Sequence, residues 1–219
     1  MHTGQAPKVN QPLQICLTGK GADAGHLKNG RPSALITCLW QSSKPLDCET
    51  NVCLEWGSGG GANLCAFAPH FNTVIGVDIS AANLSECERQ LTSRGHQNFS
   101  PINIDVDNPE SILGHDLPKT DLLLSTAVFQ HFPGKEYGQR VLSIIPKLLS
   151  PNGMALIQIR YDNNDPRFTA KTRHYARNLT TFTSYQIDEF WEMATNVGLS
   201  PAIIKLERIH NYAYFALRP

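Results

Sequence analysis

The stretch from Val52 to Asp78 limits what this chain can fold into more than any other. Val52-Cys53-Leu54-Glu55 is a short apolar run that ends at a glycine loop, Gly57-Ser58-Gly59-Gly60-Gly61. The pattern then predicts a helix over 62–69 and a second strand over 73–78. A glycine loop between a strand and a helix lets the backbone approach a ligand closely at the helix N-terminus. Gly57, Gly59 and Ala62 satisfy the G-x-G-x-x-G/A spacing, and Asp78, 21 residues after Gly57, suits an acid that grips ribose hydroxyls. Taken alone, these residues admit NAD or another adenosine cofactor equally. A glycine-rich loop is also often only a tight turn, and a helix-capping role is the bland alternative for Asp78.

The rest of the chain repeats the alternation. Ser80 caps a predicted helix over 81–94, with Leu84, Cys87 and Leu91 at helical spacing and Gly95 past its end. A third strand over 99–106 alternates Ile102, Ile104 and Val106, Pro109 opens a short helix, and 121–125 is a continuous apolar strand. Tyr137, Val141, Ile144, Ile145 and Leu148 form one stripe of a helix over 135–149. Pro151-Asn152-Gly153 reads as a turn before a fifth strand over 154–160. Thr183-Ser184-Tyr185-Gln186 resembles a capping box opening a helix that stops at Gly198. Two closing strands, about 201–209 and 212–217, join tightly through His210-Asn211.

Strands and helices alternate, and the strands read as buried on both faces. The expected fold is α/β: a doubly wound, mostly parallel seven-stranded sheet, Rossmann-like, in which the tight last connection makes the final strand antiparallel. The domain spans 51–219. Residues 1–50 form an extension with one apolar patch, Ala34-Leu35-Ile36-Thr37-Cys38-Leu39-Trp40.

Four further features separate the cofactor alternatives. Glu55 precedes the first glycine, giving Glu-x-Gly-x-Gly-x-Gly over 55–61, where an acid would crowd a pyrophosphate but suits an ammonium group. The third strand ends in Asp105-Val106, an acid and an apolar residue able to meet an adenine edge. The fourth strand runs into Phe129-Gln130-His131-Phe132-Pro133. The closing hairpin leaves no second domain for a dehydrogenase substrate.

Together these residues resemble the class I S-adenosylmethionine-dependent methyltransferases, strongly over 52–160 and more loosely to 219. The resemblance implies S-adenosylmethionine as cofactor and transfer of its methyl group to a small molecule, at oxygen or nitrogen. It places Glu55 and the Ser125 carbonyl near the methionine amino group, and Gly57, Gly59 and Gly61 under the amino-acid moiety. Asp78 would hold the ribose, Ile79 would pack on adenine, and Asp105 with Val106 would read the adenine edge, with Asp107 competing for the role of Asp105. His131, at the rim where the methyl should sit, reads either as a base or as a ring bonded to a backbone carbonyl. Tyr161 is a second, weaker catalytic candidate, for which packing is the stronger reading. An enzyme that cyclises the cofactor and a non-catalytic binding module are the alternatives.

Charge and cysteine content narrow the partners. Among 219 residues, 19 Lys and Arg balance 19 Asp and Glu, so no global field favours nucleic acid or an anionic membrane. Between Pro166 and Ile187, however, Arg167, Lys171, Arg173 and Arg177 occur without a carboxylate, beside Arg160 and His174. Arg160, Arg173, His174 and Arg177 are candidates to meet an anionic group on the substrate, under a cover built from 1–45 and 162–182. The same run reads as a solvated loop. Six cysteines with no C-x-x-C pair are expected to be free thiols, with no metal site, in a cytoplasmic monomer or homodimer without signal peptide or membrane span.

Overall fold

The computed structural model describes residues 51–170, 183–207 and 211–219. Seven strands form one sheet: β1 (Val52–Trp56), β2 (Thr73–Asp78), β3 (Phe99–Asn103), β4 (Thr120–Ser125), β5 (Leu149–Arg160), β6 (Ser200–Glu207) and β7 (Tyr212–Arg218). Their spatial order is β3-β2-β1-β4-β5-β7-β6. β1 to β5 pair in parallel, and β7 runs antiparallel to both β5 and β6, as the short last connection requires.

Every residue of β1 and β4 is buried, and adjacent residues feed opposite cores. Leu54, Ile75, Leu123, Ile157 and Phe215 belong to one cluster, and their neighbours Cys53, Val74, Leu122, Leu156 and Ala216 to the other. The first face is covered by α3 (Lys135–Leu148) through Val141, Ile144 and Ile145, and by α4 (Ile187–Thr195) through Phe190 and Ala194. The second is covered by α1 (Ala62–Phe67) through Leu64 and Phe67, and by α2 (Ala81–Ser93) through Cys87 and Leu91. Cys53, Cys65 and Cys87 are free and buried.

Three expected boundaries move. β3 stops at Asn103, because the Asp105 carboxylate accepts the Asp107 N–H at 2.9 Å and turns the chain before Val106. Residues 151–153 are part of β5, whose register against β4 shifts between Thr120 and Leu122. The capping box lies three residues later than the sequence suggests, at Gln186 and Glu189, because the Thr183 hydroxyl is donated elsewhere, to the Phe132 carbonyl.

Candidate active site

The glycine loop turns back on β2. The N–H groups of Gly57 and Ser58 both donate to the Val77 carbonyl, at 2.7 and 3.1 Å. Gly57, Gly59 and Gly61 have φ of 76°, 50° and 81°, a region that penalises any side chain. A Cβ at Gly57 would also strike the Val128 side chain, whereas nothing lies within 4 Å of the place a Gly59 Cβ would occupy. The loop is therefore closed at Gly57 and open at Gly59.

Asp78, at the end of β2, holds this geometry. Its Oδ2 accepts the Gly59 N–H at 2.9 Å, and its Oδ1 accepts the Ser80 N–H at 2.8 Å and the Asn83 amide at 3.3 Å. Ile79 and Val106 are 59% and 47% exposed, unusual for large apolar side chains, and both line the same cleft.

Glu55 lies deeper. It is buried, its Oε1 accepts from Asn63 Nδ2 at 2.6 Å, and its Oε2 has no hydrogen-bond partner. Burial, with the Asp78 charge adding to it, pushes its pKa up to about 8; Asn63 and the Leu64 backbone pull the other way without offsetting it. The Asn63 amide also donates to Thr126 Oγ1 at 2.9 Å, tying α1 to the end of β4. Ser125, beside Thr126, is fully buried with its hydroxyl unpartnered. Ala127 then takes a φ of 57°, and its N–H donates to Gln158 Oε1 at 3.2 Å.

The chain continues into a short 3-10 turn, Phe129–His131, which brings His131 to the cleft with Phe132, Pro133 and Tyr137. Gly57, Gly59, Asp78, Ile79, Val106 and His131 thus line one cavity of about 460 Å³. Glu55, Gly61, Asp105 and Ser125 do not line it. Neither does Tyr161, which packs in the larger apolar cluster, pairs with Tyr185 as an isolated bridge and donates its N–H to the Asn211 carbonyl. Arg160 also lies outside the cleft wall. Its guanidinium donates to the Arg167 carbonyl at 2.6 Å and sits 5.5 Å from the centre of the Phe168 ring, and burial lowers its pKa from the ordinary value. Arg167, first in the basic run, is paired with Asp165 at 2.6 Å. Arg173, His174 and Arg177, like residues 1–50, lie outside the described residues.

Sequence reasoning missed Asn63, Thr126, Ala127 and Gln158. Asn63 carried a signal, since it is the one polar residue in the otherwise apolar Ala62-Asn63-Leu64-Cys65-Ala66-Phe67. The others carried none.

Residues 54–155 match the model of a family described as a methyltransferase domain. The chain has the Rossmann-like fold of the methyltransferases. Solved structures agree with this fold. A S-adenosylmethionine-dependent methyltransferase from Clostridium acetobutylicum superposes with a TM-score of 0.61 at 13% identity, over 84% of this chain and 88% of that one. Magnesium protoporphyrin IX methyltransferase from Synechocystis, solved with S-adenosylhomocysteine, gives 0.61 at 14% identity, over 84% and 81%. An O-methyltransferase from neocarzinostatin biosynthesis, in complex with S-adenosylmethionine and 2-hydroxy-5-methyl naphthoic acid, gives 0.58 at 14% identity, over 84% and 55%. No curated protein matches the sequence.

S-adenosylmethionine is the cofactor of such a methyltransferase domain, and the residues present fit it. The open backbone at Gly59 leaves room for close approach. The unpartnered Oε2 of Glu55 lacks what an ammonium group would supply. Asp78 offers acceptors for hydroxyls, and Ile79 with Val106 offers apolar surface to a flat ring. Among the described residues no cluster of His, Cys, Asp or Glu could hold a metal ion, and no helix is long and apolar enough to cross a membrane.

Proposed function

We propose that the chain is a S-adenosylmethionine-dependent methyltransferase that acts on a small molecule, with His131 as proton acceptor. The observation that carries this reading is one cleft that joins the glycine loop and Asp78 to His131. The neighbour that holds a hydroxylated naphthoic acid supports a small-molecule acceptor.

When bound, the cofactor supplies a methyl group on a sulfonium, a leaving group that needs no acid. The protein's task is then proximity, alignment and exclusion of water. Glu55 and the Ser125 carbonyl, buried behind the cavity wall, would hold the amino end, and Asp78 would hold the ribose. Ile79 and Val106 grip the base, with Asp105 or Asp107 at its edge. Phe132, Pro133 and Tyr137 wall the acceptor side and keep water out. His131 takes the proton that a hydroxyl acceptor must release as its oxygen bonds to carbon. Arg173 and Arg177 are proposed to meet a carboxylate or phosphate on the acceptor. Changing either to Gln should then raise KM and leave cofactor affinity unchanged.

Mass analysis of products from S-adenosylmethionine and a panel of phenolic and amine acids tests this reading. S-adenosylhomocysteine with a methylated acceptor is expected. Methylthioadenosine would mean cyclisation instead, and neither product would mean a binding module.

A further inference from the structure

His131 is carried by a turn that does not hold its own direction. The 3-10 turn is three residues long, and its second internal bond, from the Phe132 N–H to the Phe129 carbonyl, is stretched to 3.4 Å. Turns of this kind have poor hydrogen-bond geometry and depend on their surroundings. The rings of Phe129 and Phe132 pack against Tyr185, Phe190 and Tyr137, and on either side of His131 the backbone is held by Thr183. The Thr183 N–H donates to the Gln130 carbonyl at 3.1 Å, and the Thr183 hydroxyl donates to the Phe132 carbonyl at 2.7 Å. These two carbonyls flank His131 on either side.

Thr183 is buried and is itself fixed from behind by the end of β5. The Tyr185 N–H donates to the Arg160 carbonyl at 3.1 Å, and the Asp162 N–H donates to the Tyr185 carbonyl at 2.8 Å. The Ser184 hydroxyl reaches the Phe168 carbonyl at 2.7 Å. Residues 183–185 therefore form a strut between β5 and the His131 turn. At the other end of the same loop, the Gln158 side chain holds the Ala127 N–H.

We propose that Thr183 is a positioning residue for His131, its two bonds setting where the imidazole stands in the cleft. The proposal rests on the reading of His131 as proton acceptor, because only then does the placement of the ring matter to the reaction. Without the hydroxyl, the Phe132 carbonyl would stay buried and unpaired, a state the turn escapes by rotating outward. Such a rotation moves the ring by a distance that proximity effects register strongly.

The test uses the full chain with histidine imidazoles labelled with carbon-13, the His131 signal being assigned from His131→Asn. S-adenosylhomocysteine is the probe. Thr183→Val keeps the shape and removes the donor, and Thr183→Ser keeps the donor. The expected result is a His131 signal that broadens or moves toward free imidazole in Thr183→Val and loses its response to S-adenosylhomocysteine. Affinity for the probe, read by calorimetry, should change by less than about threefold. Thr183→Ser should restore the signal. If Thr183→Val does not fold, Thr183→Cys makes the same comparison, since a thiol fills the site but donates weakly. An unchanged His131 signal without the hydroxyl, or a loss as large in Thr183→Ser, overturns the proposal. Turnover of His131→Asn judges the proton-acceptor reading separately: wild-type turnover there sinks that reading whatever the spectra say of Thr183.

Discussion

The wall of the cleft proposed to meet the cofactor and the wall proposed to meet the acceptor are held by different means. Between Glu55 and Asn83 most restraints are short in sequence: the loop bonds back to β2, and Asp78 binds the Gly59 and Ser80 N–H groups and Asn83, while Asn63 reaches far, to Thr126. Val106, beyond β3, completes that wall. The acceptor wall from Ala127 to Tyr137 leans on distant chain. Gln158 reaches it across 31 positions and Thr183 across 51. On the proposed reading of the site, the difference separates the residues that meet the cofactor from those that meet the acceptor. The first is packed mostly into one local unit, and the second depends on β5 and on the segment after it.

The sharpest way to break this comparison is at His131. His131→Asn should lower turnover by roughly 10²–10⁴ while affinity for S-adenosylhomocysteine stays at the wild-type value. Equal losses in turnover and affinity would show that the two walls act as one.

Glu55 offers the next largest effect, and it has opposite signs for stability and binding. Its folded pKa of about 8 lies above the ordinary carboxyl value. The folded protein keeps a proton there that the unfolded chain releases. That contribution to stability is complete below about pH 4 and is lost as pH rises toward 8. Glu55→Gln, which cannot ionise, should therefore stabilise the ligand-free protein at pH 8 by about 2–4 kcal/mol, with little gain near pH 4. Its affinity for S-adenosylhomocysteine should fall. Urea unfolding at the two pH values and calorimetry check both halves, and a variant that is less stable at pH 8 would contradict the assignment.

Asp78→Ala should weaken S-adenosylhomocysteine binding by at least about tenfold, for the loss of bonds to a charged acceptor worth about 1.5–3 kcal/mol. Unchanged affinity in a folded variant would remove Asp78 from the site.

The smallest effect belongs to Arg140, which pairs with Glu110 at 2.6 Å and donates to the Asp107 carbonyl at 3.1 Å. Both partners of the ion pair are well exposed, so water already screens it. Arg140→Gln should change S-adenosylhomocysteine affinity by no more than about twofold. A larger loss would mean that the 105–110 turn needs an external support, as the His131 turn does.

The same division decides how much could be read from the sequence. The strand–loop–helix–strand unit, Asp78 and the exposed Ile79 announce themselves through spacing, because each acts within its own element. The antiparallel last strand followed from a connection too short to cross over. His131 follows the fourth strand, and the turn there brings it to the cleft. Thr183 was misassigned to a helix cap because Ser and Thr before an apolar helix usually serve there. Its hydroxyl instead serves a carbonyl that only the tertiary fold brings near. Tyr161 and Arg160 sit at the end of β5 as expected. The period-2 pattern could not say that both would turn from the cleft into packed surroundings, since that choice depends on Tyr185 and Phe168.

The placement of β7 bears on how the sheet comes into being. The last strand in chain order lies between β5 and β6, bonded to both. During synthesis, β6 emerges before its neighbour exists, and β5 keeps a row of unpaired amides and carbonyls until the chain has run past Arg218. The sheet therefore gains β6 only once β7 has formed, since β6 pairs through β7. Until then the nascent protein carries an open edge of the kind that invites association with other chains.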